Sequence, residues 1–486
     1  MLIEILVTTS WIIPVGVTTI TILLGLIGYD YIKYNYKKKN LPGPKWVLPF
    51  IGSIVSMVRN PTNFWNQQEK YGKISWNKLG GYFMVHSNDV TVTKKILQNN
   101  TDLKPILHPN ANTIFGKNNM AFQQGKPHKQ LRAVLLPLFT KKALSLYLKI
   151  QEKVIRRHLS KWINEFMEND EPINMRLKIR DLNLETSQNV FVGPYLTEKT
   201  RKIFAENYMK MNKGFLSLPI NLPGTKLWNS VQARKKIVIL LKDCAKQSSQ
   251  KMVNSNPQCL LDFYILELIK KKKIINFDEV GNVMLDFLFA SQDASTASLV
   301  WSCALCLTEH PKVLNKVIEE QSELRPYNGS ITYEILKDMK YTKIVMMEIL
   351  RYRAPATMVP QIALKDYPIT IPASVETKKI EYVIPKGSII TPSLYAACQK
   401  NWKNPDKFNP DRFNSDQKGI FIPFGCGPHR CIGMQYAMNH ITMFISILST
   451  SCKMKRYITS LSGDDNIVYG PTIFPADGVN VSVTAI

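Results

Sequence analysis

Residues 421–433 read Phe-Ile-Pro-Phe-Gly-Cys-Gly-Pro-His-Arg-Cys-Ile-Gly, and a helical pattern starts near Met434. No other stretch restricts the fold so strongly. Gly425, Gly427 and Gly433 allow backbone angles and close approaches that side chains forbid, so the loop can turn its amides toward the Cys431 sulfur. The helix start behind Cys431 adds the positive end of a dipole, which lowers a thiol pKa. A cysteine among glycines is also a common small core residue, and local chemistry alone keeps that reading open beside a metal-binding one.

Hydrophobic residues make up 45% and charged residues 21% of the 486 positions, an ordinary globular composition. The length exceeds the roughly 250 to 300 residues at which single cores stop growing, so one large domain or two are both open. Against 37 Asp and Glu stand 63 Lys and Arg, a formal charge of +26. Such a surface suits nucleic acid, anionic lipid headgroups or an acidic protein. Without zinc-finger spacing or a compact RNA-reading signature, nucleic acid ranks last and no nucleic-acid partner is expected. The eight cysteines are scattered rather than spaced as a disulfide scaffold, which predicts reduced thiols. Cys303 and Cys306 form a CxxC inside an apolar helical run and read as two buried helix residues.

Residues 5–29 carry no charge, enough for a helix across a hydrocarbon core that needs roughly 20 residues. A cleaved signal peptide and a buried helix are the alternatives, and Pro14 weakens the helix. The length and the lysines that follow, Lys33, Lys37, Lys38 and Lys39, argue for a span with its basic flank in the cytosol. The expected organisation is a transmembrane anchor (1–30), a basic, proline-rich linker (31–45) that includes Pro42-Gly43-Pro44, and one catalytic domain (46–486). Helical periodicity dominates from Lys126 to Met347, and short β-branched runs around Ile384 and 388–391 flank turns. The fold class is therefore mainly α with a minor β component. The lysine run 270–273 predicts a solvated loop.

Other positions stand out. Glu348 and Arg351, three apart on a helix, can form a surface ion pair. His128 and Arg132, four apart, share a helix face and read first as basic surface. The apolar run 283–307 is broken by Asp286, Ser291, Gln292, Asp293 and Ser295, polar groups that are costly in a helix without partners.

Together these segments resemble the cytochrome P-450 family of haem-thiolate oxidoreductases, from about Leu41 to the end. Phe424, Gly425, Gly427, Cys431 and Gly433 match its haem-binding signature. The resemblance implies the family fold, Cys431 as iron ligand, haem b (iron protoporphyrin IX) as cofactor, and O2 with NADPH-derived electrons as co-substrates. Thiolate ligation favours O–O cleavage. Where most members place a propionate-binding arginine, this chain has His429, with Arg430 next to it. Arg132 with His128 corresponds to a Trp-x-x-x-Arg pair that meets the propionates. Glu348 and Arg351 are implied to lock to Arg412 as a structural brace. The stretch 290–295 corresponds to the oxygen-site helix; Ala294 takes the usual threonine place, so Asp293 with Ser295 or a water is the implied proton relay.

Stretches 286–296 and 351–360, with Gly427-Pro428-His429 and 435–440, look like the sterol C-22 desaturase branch. That implies a sterol dissolved in the bilayer, a pocket including Phe289, Ala290, Thr357, Met358 and Val359, and loss of two hydrogens in place of hydroxyl insertion, with Ala294 tied to that outcome. It also implies an NADPH-dependent cytochrome P-450 reductase as partner, contact with membrane lipids, and a single-pass endoplasmic-reticulum location with the catalytic domain cytosolic. A sterol 14-demethylase, a peroxide-rearranging member and a non-catalytic haem carrier or sensor are the competing readings.

Overall fold

The computed structural model describes residues 2–107, 110–116, 119–215, 217–371, 380–415, 419–463 and 466–486, with side chains from Val15 onward. The chain is 59% helical with a minor strand component, as its periodicity predicts. Ile74–Leu79 and Tyr82–Ser87 pair antiparallel through the two-residue turn Gly80–Gly81, where Gly80 supplies a φ of +59°. Tyr82–Ser87 then runs parallel to Ile389–Pro392, and Gln361–Ala363 and Leu103–Pro105 complete a five-stranded sheet.

The helices that position the site are α1 (Leu2–Lys38), α2 (Gly125–Leu135), α3 (Lys141–Asn169), α4 (Met175–Phe191), α5 (Lys226–Lys251), α6 (Phe277–Ala290), α7 (Asp293–Trp301), α8 (Lys340–Tyr352) and α9 (Met434–Ser451). Several start on side chains that satisfy orphan amides. Asn174 accepts from Leu177 N, Thr225 from Trp228 N, and Asn276 from Asp278 N and Glu279 N. On α3 the buried residues Leu144, Leu148, Ile155, Leu159, Trp162 and Phe166 recur at helical spacing, so one stripe faces inward. Every residue of α9 from Asn439 to Ser449 is buried, as befits a helix packed on all sides. One apolar core joins α5 and α6; a second joins α3, α7, α8 and α9; a third covers the sheet.

Past Trp301 the chain winds as a π-helix over Ser302–Glu309, with Cys303 and Cys306 buried inside it. All eight cysteines are free thiols. Lys270 closes a helix and Lys271–Lys273 turn through exposed backbone, in line with the expected solvated loop.

Two expectations near the amino terminus differ from the structure. The helix continues through Lys38, past residue 30, and the 31–45 segment packs on the domain. The fully buried Lys78 ammonium pairs with Asp30 of α1, and Tyr34 Oη donates to Gly81 O at 2.7 Å. Trp76 N donates to Pro42 O at 2.8 Å, and Gly43 lies so close to Trp76 that a Cβ would meet its ring at 2.5 Å. A buried ammonium needs a counter-charge, and Asp30 supplies it from inside the expected anchor.

His440 on α9 is fully buried, and neither ring nitrogen has a hydrogen-bond partner. Burial pushes its pKa down to about 4. Between that value and the unfolded value of about 6.5, the unfolded chain binds a proton that the folded chain refuses. Stability is thus unaffected above about pH 6.5 and falls as pH drops toward 4, by about 2 kcal/mol at pH 5 from this group. His440→Leu is expected to shrink the gap between urea midpoints at pH 7 and pH 5 relative to the parent chain.

Candidate active site and cofactor cradle

The cysteine loop folds back on its own backbone. Gly425 N donates to Ile422 O at 2.9 Å, Arg430 N to Gly427 O at 3.1 Å and Cys431 N to Phe424 O at 3.0 Å. Gly427 has a φ of +74°, and a Cβ there would come within 2.5 Å of Leu97 O, so glycine is required on two counts. Gly433 differs from the expectation. Its φ of −84° is ordinary and a Cβ would meet nothing; its amide, facing the sulfur, is what it contributes. Cys431 is solvent-accessible yet closely surrounded; that enclosure raises its thiol pKa, while the Gly433 amide and the charges of Arg132 and Arg430 pull it down. A metal bound at such a sulfur removes the proton outright. Phe424 is half-buried and packs against the core that holds α9.

Beside this loop the rings of His128 and His429 stack 3.9 Å apart at 22°. His429 Nε2 is buried without a partner, and Arg132 Nη1 donates to Arg430 O at 2.9 Å. Burial depresses His429 to about 4 and, with Arg132 nearby, lowers His128. Both rings are therefore neutral hydrogen-bond donors at neutral pH, and Arg132 is a cation whose charge reaches both rings and Cys431. An orphaned imidazole nitrogen, a guanidinium and a sulfur form a donor set that fits an iron porphyrin with carboxylate arms. Cys431, Arg132, His128 and His429 would hold it. The exposed guanidinium of Arg430 instead contacts Met434 Sδ at 2.9 Å.

The brace is deeper than helical spacing alone implies. Glu348 and Arg351 have no exposed side-chain surface, and Arg351 grips the carboxylate with Nε at 2.7 Å and Nη2 at 2.9 Å. Arg412 Nε and Asn409 N converge on the same Oε1 at 3.0 and 2.8 Å. Two guanidiniums face one carboxylate, and the excess charge is met by backbone carbonyls. Arg412 donates to Lys403 O, Asn404 O and Lys407 O, and Arg351 to Pro405 O and Lys407 O. This network pins residues 403–412, the approach to the cysteine loop, onto α8.

The apolar run predicted as one segment is interrupted between α6 and α7. Gln292 N reaches back only three residues, to Phe289 O at 3.2 Å. Asn183 of α4, which sequence reasoning did not single out, holds the break: its Nδ2 lies 2.9 Å from Ser291 O, 2.8 Å from Gln292 O and 3.2 Å from Thr296 Oγ1. Ser187 Oγ meets Ser291 Oγ at 2.9 Å. Asn183 lies on the buried stripe of α4 with Leu182 and Thr186, so a polar residue on an apolar face was its signal. Gln292, Ser295 and Thr296 are buried, whereas Ala290, Asp293 and Ala294 keep accessible surface. Asp293 is accessible yet deeply enclosed; enclosure raises its pKa, and Arg180 and Arg176 act against that shift.

Phe289 packs on Phe115 at 4.4 Å and Phe215 at 5.8 Å, two rings that only the fold brings to α6. Asp286 accepts from Met120 N at 3.0 Å and from the Asn119 amide, tying that segment to α6; burial pushes its pKa up to about 7. The other expected pocket residues lie in packing. Thr357 is fully buried with Oγ1 donating to Gly470 O at 3.1 Å, Met358 joins Phe64 and Trp65, and Val359 packs near Leu97.

Two substitutions probe this arrangement. Cys431→Ser is expected to abolish the strongly red-shifted Soret band of the reduced carbon-monoxide adduct while far-UV circular dichroism stays unchanged. Glu348→Ala leaves two buried guanidiniums facing each other and is expected to cost about 3 to 5 kcal/mol in chemical unfolding, with a lower haem-loaded fraction.

Comparison with known proteins agrees with this geometry. The sequence profile of Cytochrome P450 matches residues 41–456. The chain is 38% identical to Cytochrome P450 710A4 of Arabidopsis thaliana, with 96% of each chain covered. It is 37% identical to Probable cytochrome P450 524A1 of Dictyostelium discoideum, over 97% of this chain and 88% of that protein. It is 29% identical to C-22 sterol desaturase ERG5 of Saccharomyces cerevisiae, over 94% of this chain and 87% of that protein. Retinoic acid bound cyanobacterial CYP120A1 shares the fold with a TM-score of 0.77 at 21% identity, over 92% of this chain and 99% of that one. With a cysteine loop and a propionate-compatible cradle beside it, and a profile match over most of its length, the chain belongs to the cytochrome P450 family, and its cofactor is haem b, used with O2 and reductase-supplied electrons.

Proposed function

We propose that the chain is a sterol C-22 desaturase, which introduces a double bond into the side chain of a membrane-dissolved sterol. The observation that carries this reading is similarity across 94% of the chain to C-22 sterol desaturases of fungi, at 28 to 29% identity. The break at 291–292 is compatible with it, because Ala294 places a methyl group where a hydroxyl would otherwise face the accessible side.

Bound haem b, ligated by Cys431, supplies the oxidising power. For desaturation to balance, two C–H bonds break and one C=C bond forms while O2, two electrons and two protons become two waters. This chain's residues carry the rest. Arg132, His128 and His429 orient the cofactor, and Asp293 is the one ionisable side chain between Ala290 and Ser295. It is assigned the proton supply, with Ser295 or a water as the second donor. Phe289 with Phe115 and Phe215, next to Ala290, offers an apolar wall that binds a sterol side chain and excludes water. Thr357, Met358 and Val359 are assigned to the substrate region on the resemblance of residues 351–360 to that branch, although their side chains pack in neighbouring clusters.

The span Val15–Lys38 is long and apolar enough to hold the enzyme in the endoplasmic-reticulum membrane, where such a substrate resides. The net charge of +26 suits an acidic electron donor, assigned as NADPH-dependent cytochrome P450 reductase.

The test is turnover of the purified full chain with reductase, NADPH and sterols of saturated side chain, read by mass spectrometry. The expected product is lighter by two hydrogens in the side chain. A product that has lost the 14-methyl group, or turnover that persists without NADPH, overturns the assignment. Ala294→Thr is expected to move product from the alkene toward the side-chain alcohol; an unchanged ratio removes Ala294 from the explanation.

A further inference from the structure

Where α1 meets the domain there is a groove of about 230 Å³, lined among others by Ile27, Gly28, Tyr31, Lys38, Lys45 and Trp46. Its walls are fixed. On the α1 side, Asp30 pairs with the buried Lys78 and accepts from Phe50 N at 3.2 Å, and Tyr34 Oη is tied to Gly81 O. Behind it lies Trp76, with the Lys38 ammonium 5.7 Å from the ring centre. Because Lys78 neutralises Asp30, the field at the mouth is set by Lys38 and Lys45, with Lys33, Lys37 and Lys39 around them.

The groove is graded along its length. Ile27 and Lys38 are eleven residues apart on one helix, about 16 Å in rise. Its apolar end joins the uncharged part of α1 and its cationic end lies on the cytosolic flank, so the two ends fall at the depths of acyl chain and headgroup. Tyr31 and Trp46 are 55% and 63% exposed, amphipathic rings of the kind that settle at a bilayer surface. Directly after Trp46, Leu48, Phe50 and Ile51 extend the exposed apolar face.

We propose that this groove binds one anionic glycerophospholipid from the cytosolic leaflet, with its phosphate and acidic headgroup against Lys38 and Lys45 and the first part of one acyl chain along Ile27, Gly28 and Tyr31. The proposal rests on reading α1 as a membrane span. Charge complementarity selects the headgroup, and continuity with the hydrocarbon core delivers the chain. The bound lipid would wedge the angle between α1 and the sheet and so set how the catalytic domain lies on the membrane.

The experiment uses the full chain in nanodiscs of phosphatidylcholine with a minor fraction of phosphatidylserine, followed by detergent extraction and native mass spectrometry. The parent chain is expected to retain one phosphatidylserine. The double variant K38E/K45E is expected to lower retention at least tenfold, whereas K37E/K39E, with the same change of charge outside the groove, keeps it. Gly28→Leu, where an added Cβ meets nothing within 4 Å, fills the apolar end without a clash and is expected to lower retention at unchanged charge. Equal losses in both double variants, full retention by Gly28→Leu, or no phosphatidylserine on the parent chain overturns the proposal. Sedimentation of the parent chain with pure phosphatidylcholine vesicles reports the anchor separately, so loss of the span and loss of the lipid site are distinguishable.

Discussion

A single carboxylate, Glu348, governs the geometry around Cys431. Buried between Arg351 and Arg412, it is, among the described residues, the only anion in a knot of two guanidiniums and several backbone carbonyls. Buried ion pairs are weak sources of stability, because desolvation consumes most of the attraction, but they are demanding about position. Here the demand falls on 403–412, a stretch with little regular structure of its own, which acquires a fixed path because its carbonyls must reach the excess positive charge. The cysteine loop inherits that path. Its hydrogen bonds, its left-handed glycines and the start of α9 then deliver the sulfur to one place.

The α6–α7 break answers a different need. A helix that stops and restarts exposes backbone groups, and in a buried location these require partners. Asn183 supplies a side-chain amide from a neighbouring helix, so the bend is held from outside and the inward side is left to small residues. The fold thus combines a rigid charged knot that pins the approach to the cysteine loop with a neutral polar clamp on the α6–α7 break.

Much of this could be read from residues alone. The glycine spacing around Cys431, the pair Glu348 and Arg351, and the shared face of His128 and Arg132 pointed to residues that the fold brings together, while Arg412 entered only through the family resemblance. Their surroundings were less legible, for physical reasons. Spacing of three on a helix does not say whether the pair faces water or carbonyls fifty residues onward, so Glu348 and Arg351 read as surface. Gly433 read as a special backbone position because glycine permits one, yet the fold uses only its amide. Asn183 acts on residues more than a hundred positions away, and no local pattern carries that relation. Thr357 looked like pocket lining because it lies within the informative stretch 351–360, while its hydroxyl is committed to Gly470.

The contact between Asp30 and Lys78 moves a boundary. Hydropathy separates the chain into a greasy leader and a water-facing enzyme, but electrostatics assigns the last two turns of the leader to the enzyme. A cut just after Asp30 would leave a body carrying a stranded ammonium in its interior, whereas a cut a few residues earlier would leave a charge-balanced one. The catalytic unit, counted by its compensated charges, begins inside the apolar helix.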